Sequence, residues 1–226
     1  MNALNRSFSA LWSSSIGKKY IVAITGIVLV LFLAGHLSGN LLIFVGREAF
    51  NEYAKFLHGA LHGAGVWIAR VVLLGTLVAH IAATIALTRQ NRTARKSYEF
   101  ENTIQASKSS RIMILSGLTI LVFVVFHILH FTVRTDSELA RLGANDPYGM
   151  VIVGFQNLWV VLFYIIAISL LCSHLVHGVG SIFQTLGLRT KKSEGIIHQA
   201  SLVYSFGIWA GFISIPLAIF LGIVKF

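Results

Sequence analysis

The sequence contains only one cysteine and two prolines, and 12% of its 226 residues are charged. A single cysteine excludes an internal disulfide and a cysteine-ligated cluster, and the absence of a CxxCH motif excludes covalently attached c-type haem. Soluble domains carry about 25% charged residues, so this chain lies outside that class. Instead, 56% of the residues are hydrophobic and the mean hydropathy is +0.78. This composition predicts an integral membrane protein.

Five apolar runs are each near the roughly 20 residues that cross a bilayer core. They cover about 20–44, 66–87, 111–133, 158–186 and 201–225. Residues 1–19 lack the compact apolar segment of a cleaved signal peptide. We interpret them as an amphipathic lead-in at the membrane surface, with Phe8, Leu11 and Trp12 as candidate anchors. The expected fold is an all-α bundle of five transmembrane helices that forms a single membrane domain over residues 1–226.

The net charge of +10 is distributed around these runs and does not form one patch, which argues against nucleic acid as a partner. Basic residues are concentrated before the first run, between the second and third, and between the fourth and fifth. They include Arg6, Lys18, Lys19, Arg89, Arg92, Arg95, Lys96, Lys108, Arg189, Lys191 and Lys192. The positive-inside rule then places the N-terminus in the cytoplasm and the C-terminus outside.

Histidine occurs inside four of the five apolar runs. These histidines are His36 in the first run, His80 in the second, His127 and His130 in the third, and His174 and His177 in the fourth. A histidine inside a membrane helix is costly and by default indicates a functional site. One such residue can instead form a hydrogen bond with a neighbouring helix, but four helices that all carry one favour a shared purpose.

The orientation converts these positions into depths. His36 lies 17 residues after Lys19 and His127 lies 16 residues after Arg111, which puts both ~24 to 26 Å from the inner surface. His80 and His174 lie on helices that run the other way, ~22 to 26 Å below the outer surface. The sequence therefore predicts an outer pair, His36 with His127, and an inner pair, His80 with His174.

Two depth-matched histidine pairs are what two stacked b-type haems require, because each iron then takes one imidazole from each of two facing helices. Ligation by two histidines leaves no open position for oxygen and suits electron transfer. His130 and His177 each lie three residues from a predicted ligand and share its helix face. From spacing alone, either can replace its neighbour, contact a haem propionate or line a quinone pocket.

Other features are less specific. His58 and His62 follow a short surface helix on the outer side, either as solvated residues or as part of an outer quinone site. No Asp or Glu falls within any of the five runs, and we find no internal repeat. A transporter that uses membrane histidines usually adds intramembrane carboxylates or repeated halves with broken helices, so this alternative is less favoured.

Several motifs resemble one family. SSSIGKK is followed by TG, with His36 ten residues after Gly26, and His127 likewise lies ten residues after Gly117. REAFNEYAKF occupies the first outer connection, and HLVHGVGSIFQTLGL has Gly187 thirteen residues after His174. Over almost its whole length the chain resembles the five-helix, di-haem cytochrome b558-type membrane anchor of bacterial succinate:quinone oxidoreductases.

This resemblance implies that His36, His80, His127 and His174 are the haem ligands, in preference to His130 and His177. It also implies partners: an FAD-containing flavoprotein that oxidises succinate, and an iron–sulfur subunit that docks on the basic inner segments, Ser13–Lys19 and Arg89–Lys108. Menaquinone would react near the outer haem, in a bacterial inner membrane. The resemblance leaves open the fumarate reductase direction, and the histidine pairing alone fits equally well a cytochrome b anchor of a hydrogenase or formate dehydrogenase.

Overall fold

The computed structural model describes residues 11–94 and 113–226, and within these ranges the chain forms helices and turns with no strand. In chain order the helices are α1 (Ser15–Asn40), α2 (Arg47–Gly59), α3 (Ala64–Ala94), α4 (Met113–His127), α5 (Ser137–Asn145), α6 (Pro147–Gly154), α7 (Leu158–Thr185) and α8 (Glu194–Phe220). A 3₁₀ turn, Leu41–Phe44, extends α1, and a second one, Ala60–Gly63, joins α2 to α3. A π-helical turn, Ile128–Val133, extends α4.

Five described segments are long and apolar enough to cross a membrane. They contain α1, α3, α4, α7 and α8, which confirms the prediction of an all-α protein with five candidate membrane-spanning helices. Large apolar side chains on these helices, such as Leu31, Val71 and Val203, are more than half exposed. Such exposure is expected of surfaces that contact lipid tails.

The helix boundaries differ from the predicted ones. The first span begins at Ser15 because the hydroxyl of Ser14 accepts a hydrogen bond from the Gly17 amide at 2.9 Å and so caps the helix. Lys18 and Lys19 therefore belong to α1 and not to a surface segment. Leu11 and Trp12, two of the candidate anchors, are exposed, whereas Phe8 lies outside the described residues, as do residues 95–112.

The fifth span begins at Glu194, seven residues earlier than expected. The expectation that no carboxylate lies within a span is therefore wrong at this end of α8. Glu194 forms an ion pair with Arg189 across the turn that precedes the helix, and an acidic side chain in the first turn is favourable beside the positive end of the helix dipole.

The long helices alternate in direction, and α7 is the central one. It packs against α8, α4 and α1, while α3 packs along α1. Ala167 and Val161 on α7 are 0% and 1% exposed. Lys18 donates a hydrogen bond to Gln90 at 2.9 Å, so the start of α1 meets the end of α3; we call this the N-terminal end of the bundle.

The opposite end, which we call the α2 end, carries α2, α5 and α6. Here Asp146 accepts hydrogen bonds from the Arg47 guanidinium at 2.6 and 3.1 Å and from the Asn51 amide at 2.8 Å. The Tyr148 hydroxyl donates to the carbonyl of Lys225 at 3.0 Å, which fixes the last residues of the chain at this end. These contacts join the two connecting segments of the α2 end to each other and to the C-terminus.

Candidate functional site

The helices that carry the predicted histidine pairs lie diagonally across the bundle. The backbone of α1 packs closely against α3 and α7, and α7 packs against α4. Among the described residues, α1 and α4 are not close-packed neighbours, nor are α3 and α7. Side chains, and not backbones, must therefore meet across each diagonal.

On the α1–α4 diagonal, the imidazoles of His36 and His127 meet directly. Their ring centroids are 5.9 Å apart and the ring planes are inclined by 82°. Both residues are only partly buried. The predicted outer pair is thus brought together near the α2 end, in an edge-to-face arrangement.

Each of these imidazoles is supported by a phenylalanine one turn before it on its own helix. Phe32 stacks on His36 with centroids 5.2 Å apart, and Phe123 stacks on His127 at 5.7 Å. A stacked aromatic ring restricts the rotation of an imidazole without occupying its nitrogens. The two phenylalanine rings therefore restrict the imidazoles without bonding to their nitrogens.

The predicted inner pair, His80 and His174, lies on the helices of the other diagonal, α3 and α7. His80 Nδ1 lies 2.9 Å from Thr25 Oγ1, and His174 Nδ1 lies 3.2 Å from Ser116 Oγ. Thr25 and Ser116 are on α1 and α4, eleven residues before the histidine of the same helix. At 1.5 Å per residue, the two histidine levels are ~16 Å apart along these helices.

Glycine follows each of these hydroxyl residues and leaves room beside the imidazole. A Cβ added at Gly26 would lie 3.7 Å from Cε1 of His80, and one added at Gly117 would lie 3.8 Å from Cε1 of His174. No side chain therefore separates the backbone of α1 or α4 from these two rings. Gly26 and Gly117 each lie ten residues before the histidine of their own helix, His36 or His127. This spacing places each glycine beside a histidine of the inner pair, His80 or His174.

These contacts reveal a short internal repeat, so the expectation of no repeat is wrong for these two helices. Residues 25–36 and 116–127 share the pattern [ST]-G-x₅-F-x₃-H. Each copy places its hydroxyl and its glycine at the level of His80 and His174. It places its stacked phenylalanine and histidine at the level of His36 and His127. Sequence analysis recognised the glycine and the histidine but not the hydroxyl and the phenylalanine, although all four recur at fixed spacing.

Tyr164, on α7, connects His127 to His130. Its hydroxyl lies 3.1 Å from Nδ1 of each ring. A tyrosine hydroxyl has one proton, so it can donate to only one of the two nitrogens and accepts from the other. If Nδ1 of His127 donates, Nε2 of that ring is unprotonated and faces away from Tyr164. The structure thus places His130 behind His127 and not beside His36.

The second ambiguous histidine, His177, is partly buried one turn beyond His174, towards the N-terminal end. It is His174, and not His177, whose ring meets a hydroxyl from α4. The contact with Ser116 therefore favours His174 over His177 as the ligand, as the spacing to Gly187 does.

Two cavities open at the α2 end. One, of about 170 Å³, is lined by His36, Gly39, Asn40, Phe50, Tyr53, Ala54, Leu57 and His58. The other, of about 260 Å³, is lined by Phe126, His130, Asp136, Glu138, Leu139, Val153, Gly154, Asn157 and Val160. His58 lies in the last turn of α2 and not after it, whereas His62 is exposed in the following turn. Of the two, only His58 lines a cavity that also reaches a predicted ligand.

The predicted outer pair, His36 with His127, fits a metal held between two imidazoles. With a metal–nitrogen distance of about 2 Å on each side, the centroids of two such rings are roughly 6 Å apart, close to the 5.9 Å between His36 and His127. In the described ranges, no group of three or more His, Cys, Asp or Glu side chains could hold a metal ion.

Similarity to other proteins adds no constraint. No protein-family model matches the chain, and neither the curated proteins nor the solved structures yield a match. The candidate site therefore stands on its own geometry: two histidine pairs, at two levels, on the two diagonals of a bundle with five candidate membrane spans.

Proposed function

We propose that this chain is the membrane anchor and di-haem b electron-transfer subunit of a succinate dehydrogenase that reduces menaquinone. The observation that carries the haem proposal is the approach of His36 to His127 on helices whose backbones do not pack together. Ligation by two imidazoles supplies one-electron transfer and leaves no position for oxygen. The chain itself performs no dicarboxylate chemistry.

The two levels support transfer along the membrane normal. His80 and His174 would hold one haem towards the N-terminal end, and His36 and His127 would hold the other ~16 Å away along the helices. Positive-inside orientation would put the N-terminal end in the cytoplasm of a bacterium. An iron–sulfur subunit would then dock there, next to the His80–His174 level, and carry electrons from an FAD-containing flavoprotein. The part of the basic segment at 95–108 lies outside the described residues.

Menaquinone would react at the α2 end. The cavity lined by His36, Tyr53 and His58 borders His36, a proposed ligand of the nearer haem. One wall of the cavity is formed by α2, which contains the REAFNEYAKF segment. His58 Nδ1 lies 2.8 Å from the carbonyl of Ala54 and is occupied as a donor. Its Nε2 therefore remains as a hydrogen-bond acceptor for a quinol hydroxyl.

A reduced-minus-oxidised visible spectrum of the complex purified through this chain tests the proposal, together with the haem and flavin content. Two b-type haems per chain with bound flavin and succinate-dependent reduction are expected. Haem without flavin would instead indicate the anchor of a hydrogenase or formate dehydrogenase. The absence of haem would refute the proposal and leave a histidine-dependent transporter.

A further inference from the structure

Helices α1 and α4 each carry a predicted ligand at one histidine level and a hydroxyl group at the other. Helix α1 carries His36 at one level and Thr25 beside His80 at the other. Helix α4 carries His127 and places Ser116 beside His174. In both contacts the hydroxyl oxygen lies near Nδ1 of the imidazole, at 2.9 Å for Thr25 and His80 and at 3.2 Å for Ser116 and His174. The repeat of residues 25–36 and 116–127 therefore produces the same contact twice.

The direction of both hydrogen bonds follows from the other partners of the hydroxyl groups. Thr25 Oγ1 lies 2.6 Å from the carbonyl of Ile21, and Ser116 Oγ lies 3.1 Å from the carbonyl of Met113. A carbonyl only accepts, so each hydroxyl uses its single proton there. Towards the imidazole each hydroxyl can then only accept, which requires that Nδ1 of the histidine carries the proton.

We propose that Thr25 and Ser116 are positioning residues that hold His80 and His174 in the Nδ1-protonated tautomer, with Nε2 of each ring free to bind haem iron. This inference rests on the proposed function. Thr25 and Ser116 touch neither the iron nor a substrate, and they act through the ring that each of them orients. A metal-bound histidine usually donates its second ring N–H to such a partner, which fixes the ring and raises its basicity as a ligand.

The same contact has an electronic consequence. An acceptor at Nδ1–H increases the electron density on the imidazole, and a more basic ligand favours the oxidised iron. Removal of the hydroxyl should therefore raise the reduction potential of the haem at the His80–His174 level. It should also weaken haem binding there, and loss of such a second partner typically costs about 10-fold or more in metal affinity.

The test uses the complete purified complex with Thr25→Val or Ser116→Ala, both of which keep approximate side-chain volume and remove the acceptor. The two b haems are titrated by spectroelectrochemistry, after the His80–His174 haem has been identified as the one that His80→Ala lacks. Haem release to an excess of apomyoglobin is measured in parallel. Thr25→Ser and Ser116→Thr restore the hydroxyl. Thr119→Val is the control, because its hydroxyl bonds to the Leu115 carbonyl one turn from Ser116.

The expected result is a higher potential and about 10-fold faster release for the His80–His174 haem alone, with recovery in the hydroxyl-containing variants and no change in Thr119→Val. A general distortion of α1 or α4 would instead affect the His36–His127 haem, whose ligands those helices carry. That outcome, or unchanged potentials, would overturn the inference while the proposed function stands. If the variants do not assemble, electron–nuclear double resonance of the wild-type haem decides, because the absence of an exchangeable Nδ1 proton overturns the inference. A wild-type complex without haem refutes both proposals.

Discussion

The imidazoles of His36 and His127 meet edge to face, 5.9 Å apart and inclined by 82°. They are separated by 91 positions in the sequence and belong to helices whose backbones do not pack together. Each ring also has a polar neighbour: the Tyr164 hydroxyl lies 3.1 Å from Nδ1 of His127, and the Asn40 amide nitrogen lies 3.4 Å from Nδ1 of His36. The haem proposed above would lie between these two rings.

Replacement of one ring should therefore remove one haem and not two. In His36→Ala or His127→Ala we expect one b haem per chain, with the remaining haem still reduced from the iron–sulfur side. The pyridine haemochrome assay measures the ratio of haem to protein. His62→Ala is the matched control, because this exposed histidine lies at the α2 end outside the candidate site. Loss of both haems in His36→Ala would contradict the prediction that each histidine pair binds its haem independently of the other pair.

At the other level, His174 and His177 can be separated in the same way. Ser116 contacts His174, so His174→Ala should remove the haem at this level and stop reduction by succinate of the remaining haem. His177→Ala should retain both haems. Spectra recorded after succinate and after dithionite distinguish these results. If the His174→Ala complex retains both haems, His177 is the ligand and the present assignment is wrong.

The cavity beside His36 predicts a role for His58 in the reaction with quinone. His58→Gln should raise KM for a menaquinone analogue and leave the haem content unchanged, because His58 lines the cavity but is not one of the four predicted haem ligands. Steady-state reduction of the analogue by succinate provides the measurement. His62→Gln, which changes a histidine four residues away that does not line this cavity, should behave as wild type. Equal effects of the two substitutions would exclude this cavity as the quinone site.

Close packing at Gly39 predicts a stability effect. A Cβ at this position would clash with Cε1 of Tyr53, so Gly39→Ala must displace the tyrosine ring that docks α2 against α1. Overpacking of this kind costs about 1–3 kcal/mol. Thermal unfolding in detergent should show a lower midpoint. Gly59→Ala is the control, since an added Cβ there meets nothing within 4 Å; a similar loss in both variants would contradict the packing argument.

Asp146 predicts how the α2 end responds to pH. Burial alone raises the pKa of this carboxyl, but hydrogen bonds from Asn51 and Arg47 outweigh burial and lower the pKa below its ordinary value. A lowered pKa in the folded state stabilises the protein above the unfolded pKa of about 4, and this contribution is lost as the pH falls through the lower folded value.

Thermal unfolding between pH 7 and pH 3 measures this contribution. Asp146→Asn should lower the unfolding midpoint at pH 7, and the difference from wild type should shrink at the acid end of the range. Glu138→Gln is the control, because Glu138 is exposed and does not bind Arg47. A difference between Asp146→Asn and wild type that is constant with pH would show that the ionised carboxylate is not responsible.

The sequence alone predicted the number of candidate membrane spans, because about 20 consecutive apolar residues have few alternatives to a membrane helix. It also predicted which histidines share a level, since the rise per residue of a helix converts position into depth. The helix ends were less accurate. The caps at Ser14 and the early start of α8 at Glu194 depend on local hydrogen bonds and charges that hydropathy does not record.

Only the tertiary structure decided how the helices are arranged and what each imidazole contacts. Depth says nothing about the direction a side chain takes around the helix axis or about which helices are diagonal neighbours. The contacts of Thr25 with His80 and of Ser116 with His174 join residues 55 and 58 positions apart. Such contacts depend on helix rotation and packing, which are set by side-chain shape across the whole bundle, and for this reason no local pattern in the chain could reveal them.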